Sequence, residues 1–205
     1  MRTLAPRSAR TRGLPDLALV VVGLVALVLA SLQVDAREVP GAEATVFGVL
    51  NGTTVLPFVV VWPVMQLGNV LVVPTSALVA AGFRQWWLAL ELLVAGLGTY
   101  VAAKVVKGIW PRGRPDDLLA DVVVRGAAAL GRGFVSGHAA TLTALAVVAW
   151  PWLSRRGRIV VAVLVTVVCL SRVYVGAHLP LDVLGGAALG LAVAGAVRLV
   201  MGHPG

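Results

Sequence analysis

From Ala44 to Phe83 the chain carries no charged residue, and from Leu17 to Val34 it carries none either. A helix that spans a bilayer needs ~20 consecutive apolar residues, so runs of this length commit the chain to lipid. Composition agrees: 59% of residues are hydrophobic and 13% charged, against about 45–50% and about 25% in ordinary globular domains. Mean hydropathy is +0.94. The net charge of +8 lies in short clusters beside apolar runs, the pattern of topology signals. No stripe of basic and aromatic residues is present, which excludes nucleic acid as a partner. Cys169 stands alone inside an apolar run, so no disulfide framework exists and the thiol reads as core.

The pattern predicts an all-α membrane bundle of six transmembrane helices. Residues 1–16 form a basic tail with Arg2, Arg7, Arg10 and Arg12, residues 17–201 the six-span domain, and residues 202–205 a short C-terminus. The spans fall at about 17–34, 56–81, 87–106, 138–153, 159–174 and 181–200. A cleaved leader is the rival reading of the first, since the tail is basic and Val28-Leu29-Ala30 resembles a cleavage site. The apolar stretch exceeds the ~7–15 residues of such a leader, so it reads as a span. The run 44–83 is too long for one simple span. It divides into an interfacial segment near Ala44–Asn51 and a second span kinked by Pro57, Pro63, Gly68 and Pro74.

Six spans place both termini on one side, together with Arg84, the Arg155/Arg156/Arg158 cluster and Arg198. The positive-inside rule makes that side the cytoplasm. Residues 107–135 then form an Arg-rich connection on the outer side, against the rule. Binding an anion is the simplest reason for such charge.

Three segments share that outer rim. They are Lys107-Gly108-Ile109-Trp110-Pro111-Arg112-Gly113-Arg114-Pro115, then Gly133-Phe134-Val135-Ser136-Gly137-His138, then the stretch from Ser171-Arg172 through His178 to Asp182. Arginine's planar fork matches phosphate oxygens, and lysine adds a point charge. Ser136 and Gly137 open a helix, where free N–H groups and the dipole favour an anion. His178 and Asp182 are four apart, which on a helix puts them on one face. A carboxylate on one ring nitrogen leaves the other free, which makes His178 the better nucleophile and His138 the general acid–base.

Lys107-x6-Arg114-Pro115, Ser136-Gly137-His138 and Ser171-Arg172-x5-His178-x3-Asp182 resemble the three signature motifs of the type 2 phosphatidic acid phosphatase family. That family comprises integral lipid phosphate phosphatases, and its core fold is shared with vanadium haloperoxidases and some soluble acid phosphatases. The resemblance implies that His178 attacks phosphorus and carries a phosphohistidine, oriented by Asp182. It implies that His138 protonates the leaving group and then helps water release the phosphoryl group. Lys107, Arg114 and Arg172 hold the phosphate oxygens, helped by Ser136 and the Gly137 amide. Cations and amides supply the charge stabilisation, so no metal or other cofactor is implied. One departure stands out: the family usually has proline before the serine, and here the residue is Val135.

The expected substrate is a lipid phosphate or pyrophosphate: a polyprenyl phosphate or pyrophosphate, phosphatidic acid or phosphatidylglycerol phosphate. The bilayer is the host, and no obligatory protein partner is implied. The expected location is the plasma membrane, with both termini cytoplasmic and the site at the outer rim. A non-catalytic phosphate binder or transporter is the rival class. A transporter places its site near the midplane between repeats, and no internal repeat is present. Vanadate-dependent halide oxidation would reuse the pocket, but the hydrophobic host favours lipid. Elsewhere bland readings hold. Asp116, Asp117 and Asp121 form a solvated acidic loop, Lys104 snorkels, Trp110 sits in the interfacial belt, Glu91 is a snorkelling or helix-pairing acid, and His203 has no role. Gly186, Gly190 and Ala194 continue the face of Asp182 as a small-residue packing surface.

Overall fold

The computed structural model describes residues 10–54, 56–126 and 129–204; Arg2 and Arg7 of the basic tail lie outside them. β1 (Arg10–Thr11) precedes α1 (Leu14–Leu32), whose first turn is fixed by Asp16 accepting the Gly13 N–H at 3.1 Å. Then follow α2 (Gly41–Asn51), α3 (Phe58–Met65), α4 (Val72–Gly82) and α5 (Trp86–Ile109). The single turn α6 (Pro115–Leu118) leads to α7 (Gly137–Ala149), α8 (Arg155–Tyr174) and α9 (Pro180–Met201). β2 (His203–Pro204) pairs antiparallel with β1, so the segment before α1 lies beside the segment after α9.

The expectation of six transmembrane helices does not hold. Among the described residues four helices are long and apolar enough to cross a membrane: α1, α5, α8 and α9. A fifth is reached only if the bent pair Phe58–Gly68 and Val72–Gly82, at 71°, counts as one span. The expected fourth span is α7, with 13 residues. At 1.5 Å per residue it covers about 20 Å, short of the ~30 Å hydrocarbon core. Its apolar residues serve another purpose: Ala139, Ala140, Ala144 and Val148 are fully buried inside the bundle. Hydropathy alone cannot separate a buried central helix from a spanning one.

The most buried of the four long helices is α9, which packs against α1 on one side and α7 on the other. Small residues permit both approaches. A Cβ at Gly23 would stand 2.5 Å from the Ala192 nitrogen, and one at Gly190 would stand 2.3 Å from the Ala140 carbonyl. The stripe read from Asp182 onward therefore packs inside the bundle. The outer face of α1 exposes Leu17, Val21, Leu24 and Val28, a surface that suits lipid and not water. The chain is a multi-pass integral membrane protein.

Helix polarity sorts the charges. One end gathers the start of α1, the start of α5 and the end of α9. There Arg198 pairs with Asp16 at 2.8 Å, Arg10 stacks on Trp87, and the Trp87 indole donates to the Gly202 carbonyl at 3.3 Å. Glu91 is fully buried near this end and accepts from the Trp152 indole at 3.1 Å, so it pairs helices and does not snorkel. His203 also has a structural place, 3.2 Å from Asp16 and 3.0 Å from Arg198. The opposite end gathers the close of α5, the start of α7, the close of α8 and the start of α9.

Candidate active site

At that opposite end, local turn chemistry sets each side chain. α8 stops in a Schellman motif: Gly176 N–H donates to the Val173 carbonyl at 3.0 Å and Ala177 N–H to the Arg172 carbonyl at 3.1 Å. The motif requires a left-handed residue just past the cap, and Gly176 supplies it with φ +75°. Two residues after His178, Pro180 opens α9 at the first helical position, where its missing N–H and fixed φ carry no penalty. Asp182 stands at the third position and accepts the Leu179 N–H at 2.9 Å. His178 therefore precedes the helix and does not share a helical face with Asp182. The cap brings them together, with His178 Nδ1 3.4 Å from Asp182 Oδ2.

The remaining cations converge on this ring. Arg114 Nη1 lies 2.9 Å from His178 Nε2, and its fork is braced by the carbonyls of Leu130, Gly131 and Ala177. With Nδ1 facing a carboxylate, the consistent tautomer carries its proton on Nδ1 and presents the Nε2 lone pair to Arg114. Lys107, in the last turn of α5, donates to the carbonyls of Arg132 and Gly133 at 2.6 and 3.2 Å. Arg172 is buried, and its guanidinium meets Met65 Sδ at 2.8 Å while its Nε has no partner among the described residues. A thioether is a weak acceptor, so this buried cation holds donor capacity in reserve. Burial first, then the charges of Arg114, Arg172 and Lys107, with a smaller contribution from His138, hold His178 well below the usual imidazole range. That direction favours the neutral ring.

The third segment docks through its backbone. Ser136 N–H donates to the Asp182 carbonyl at 2.8 Å, tying the start of α7 to the start of α9. The Ser136 hydroxyl is fully buried with no partner among the described residues. Val135, in the place of the usual proline, is fully buried and packs with Phe134, Ala103 and Leu189. His138 lines a cavity of about 220 Å³ with Asn69, Tyr100, Gly137 and Thr141. Gly68 presses against it so closely that a Cβ would stand 2.7 Å from the His138 Cβ.

Two site residues were not read from the sequence. Arg112 is fully buried and donates to Asp182 Oδ1 at 3.1 Å and to both oxygens of Glu43, at 3.1 and 2.5 Å. Burial opposes its charge, but the carboxylates of Glu43 and Asp182 outweigh burial and hold it more firmly protonated than usual. Glu43 also accepts the Leu181 N–H at 2.8 Å. The available signal was charge balance: an acid opening a long uncharged run, with two arginines in one turn elsewhere. Other residues keep clear of the site. Asp117 accepts the Arg114 N–H at 2.8 Å as a cap for α6. Lys104 is exposed, 4.7 Å above the Tyr100 ring, and Trp110 packs edge-on to Phe134 at 6.1 Å.

Known proteins share this architecture. The crystal structure of Aquifex aeolicus LpxE superposes with a TM-score of 0.73 at 24% identity, covering 81% of this chain and 99% of that one. That of the first transmembrane PAP2-type phosphatidylglycerolphosphate phosphatase from Bacillus subtilis gives a TM-score of 0.66 at 24% identity, covering 89% and 94%. At that identity the likeness concerns the fold. No curated protein sequence matches the chain. The family model of the PAP2 superfamily matches residues 86–203, which contain all three motifs. The chain thus belongs to the PAP2 superfamily of membrane lipid phosphatases, and is a hydrolase of that superfamily.

Proposed function

We propose that the chain hydrolyses a lipid phosphate or pyrophosphate through a phosphohistidine on His178, with the site on the outer face of the plasma membrane. The observation that carries this reading is a neutral imidazole with Asp182 at Nδ1 and Arg114 at Nε2, ringed by Lys107 and Arg172. Phosphate oxygens take the donors of Lys107, Arg114, Arg172, the Ser136 hydroxyl and the Gly137 amide. His178 Nε2 attacks phosphorus, a P–N bond forms, and the P–O bond to the lipid breaks. The substrate phosphate's own proton reaches the departing oxygen through His138, which burial and the charges of Arg172 and Arg114 hold neutral at rest; His138 then removes a proton from the water that attacks the phosphohistidine. Inorganic phosphate leaves and His178 is restored. Asp182 holds the ring and offsets the charge it gains. Fixed cations and amides stabilise the transition state without reorganising, which is usually the greatest single source of rate enhancement at such sites.

Candidate substrates are polyprenyl phosphates and pyrophosphates, phosphatidic acid and phosphatidylglycerol phosphate. The Bacillus subtilis relative carries phosphatidylglycerolphosphate in its name, which puts that lipid first in a panel. The orientation rests on charge: Arg10, Arg12 and Arg198 gather at the end where β1 pairs with β2, opposite the site. Positive charge beside spans favours the cytoplasmic side. Phosphate release from a panel of lipid phosphates, in detergent and without added metal, tests the activity. His178→Ala should abolish it; release at the wild-type rate would sink the nucleophile. No release from any lipid would favour the phosphate-binding class. A cysteine at Asp117 labelled only from the cytoplasm would reverse the orientation.

A further inference from the structure

The motifs account for Lys107, Arg114, Ser136, His138, Arg172, His178 and Asp182, but not for the acid buried behind them. Glu43 sits in the first turn of α2, outside the 86–203 match to the family. It is 7% exposed, and Arg112 is 0% exposed. Arg112 spans two carboxylates: Glu43 on one side, at 2.5 and 3.1 Å, and Asp182 on the other, at 3.1 Å. Asp182 divides its two oxygens between Arg112 (Oδ1) and His178 (Oδ2). The result is a continuous line, Glu43–Arg112–Asp182–His178, in which charges alternate up to the imidazole.

Charge balance gives Glu43 a task. A lone Arg112 would draw on the Asp182 carboxylate and weaken its hold on the Nδ1 proton. A second carboxylate on Arg112 neutralises that pull and leaves Asp182 free to support positive charge on His178. Because the line is buried, solvent does little to screen it. Resting on the phosphohistidine reading above, we infer that Glu43 is a positioning residue for catalysis, acting on His178 through Arg112 and Asp182. It touches no substrate. α2 is therefore part of the catalytic apparatus and more than a membrane-surface anchor.

An anchoring role alone would also make Glu43 important, since it holds the Leu181 N–H at 2.8 Å. Glu43→Gln separates the two, because the glutamine oxygen keeps an acceptor for Leu181 and for Arg112 Nη1, while the charge and the acceptor facing Arg112 Nη2 are lost. In detergent-purified full-length protein, with a lipid phosphate that the wild type hydrolyses, E43Q should keep KM and lower kcat by about tenfold or more. Phosphate contacts are untouched, and the support for His178 is needed most in the transition state. A rapid alkaline detergent quench with ³²P-labelled lipid, which preserves the acid-labile P–N bond, should find slower phosphoenzyme formation. The double variant E43Q/R112Q removes the unbalanced cation while keeping a donor for Asp182, so its kcat should exceed that of E43Q. A mere anchor predicts the reverse order, since the double variant has lost more contacts.

A wild-type kcat in E43Q, or a double variant slower than the single, overturns the inference. If E43Q is not monodisperse, the double variant is read against wild type. A kcat within about tenfold supports the relay, and any larger fall overturns it. His178→Ala runs beside both: if it too retains wild-type release, the phosphohistidine reading has failed, and if it is dead while E43Q turns over as wild type, only the role of Glu43 has failed.

Discussion

Gly186 is where packing and catalysis meet, and a single methyl group there should separate them. A Cβ at Gly186 would lie 2.4 Å from the Ser136 carbonyl oxygen and 3.2 Å from the Ala139 Cβ. Carbon–oxygen contacts settle near ~3.3 Å, so Gly186→Ala demands roughly 0.9 Å of separation. The obstacle is backbone, which cannot rotate away as a side chain can, so the start of α7 must shift from α9. That shift pulls on the 2.8 Å bond from Ser136 N–H to the Asp182 carbonyl. It also moves the Ser136 hydroxyl, the Gly137 amide and His138 together, relative to His178. Overpacking of this size costs about 1–3 kcal/mol, a loss the fold should survive. A misplacement of ~1 Å at reacting groups costs on the order of 10²-fold in rate. The expected result is a melting temperature a few degrees lower and kcat down about a hundredfold, by phosphate release in detergent. Gly98→Ala is the control, because its Cβ would meet only Val193 Cγ1 at 3.6 Å, an ordinary contact. Wild-type turnover in G186A, or equal losses in both variants, would refute the argument.

At the far end, Asp16→Asn should destabilise the fold without touching chemistry. Asp16 is 1% exposed and pairs with Arg198 at 2.8 Å, and breaking a buried pair costs about 3–5 kcal/mol; thermal size exclusion should find an earlier transition, with unchanged kcat below it. An unchanged transition would mean that His203 alone satisfies Arg198. The pH dependence follows from His178, held well below its usual value by burial and by Arg114 and Arg172. The unfolded chain takes up a proton below about pH 6.5 that the native ring refuses, so this contribution to stability is complete above that pH and lost as pH falls. Melting curves from pH 5 to 7 should fall less steeply towards acid in His178→Gln than in wild type. Identical slopes would mean that the native ring titrates normally.

How much was legible depended on whether a residue acts alone or through packing. The three motifs could be read because phosphate chemistry demands particular residue types in a fixed order, and their segments do converge at one end of the bundle. The helical spans α1, α5, α8 and α9 could be read because lipid tolerates few charges over that length. The number of spans could not, because α7 is as apolar as its neighbours while being only 13 residues long and buried among them. The second expected span was seen to carry kink-forming residues, but a 71° bend is set by how its halves pack. Glu43 was unreadable for a different reason. Its partner Arg112 is 69 residues away, and nothing local announces that a carboxylate in one connection is aimed at a guanidinium in another.

The site's rigidity follows from where its residues sit. Lys107, Ser136, Arg172 and Asp182 all occupy the first or last turn of a helix, or its cap, and His178 lies between a Schellman stop and a proline start. Helix ends carry unpaired N–H and C=O groups that the fold must satisfy anyway. Here the candidate site's own side chains meet part of that demand: Lys107 takes up carbonyls of the loop before α7, and Asp182 caps the helix that carries it. Arg114 does the same for the carbonyl of Ala177, next to His178. Each such bond holds a side chain of the candidate site in place through the fold's own hydrogen bonding, so loosening the end of a helix should disorder the site before it unfolds the protein. Four helices meet at one end, which explains how Lys107, Arg112, Arg114 and Arg172 can be kept around one imidazole, with Glu43 and Asp182 to balance them, in a chain that is 59% hydrophobic. The bundle supplies walls, and the chemistry is confined to its rim.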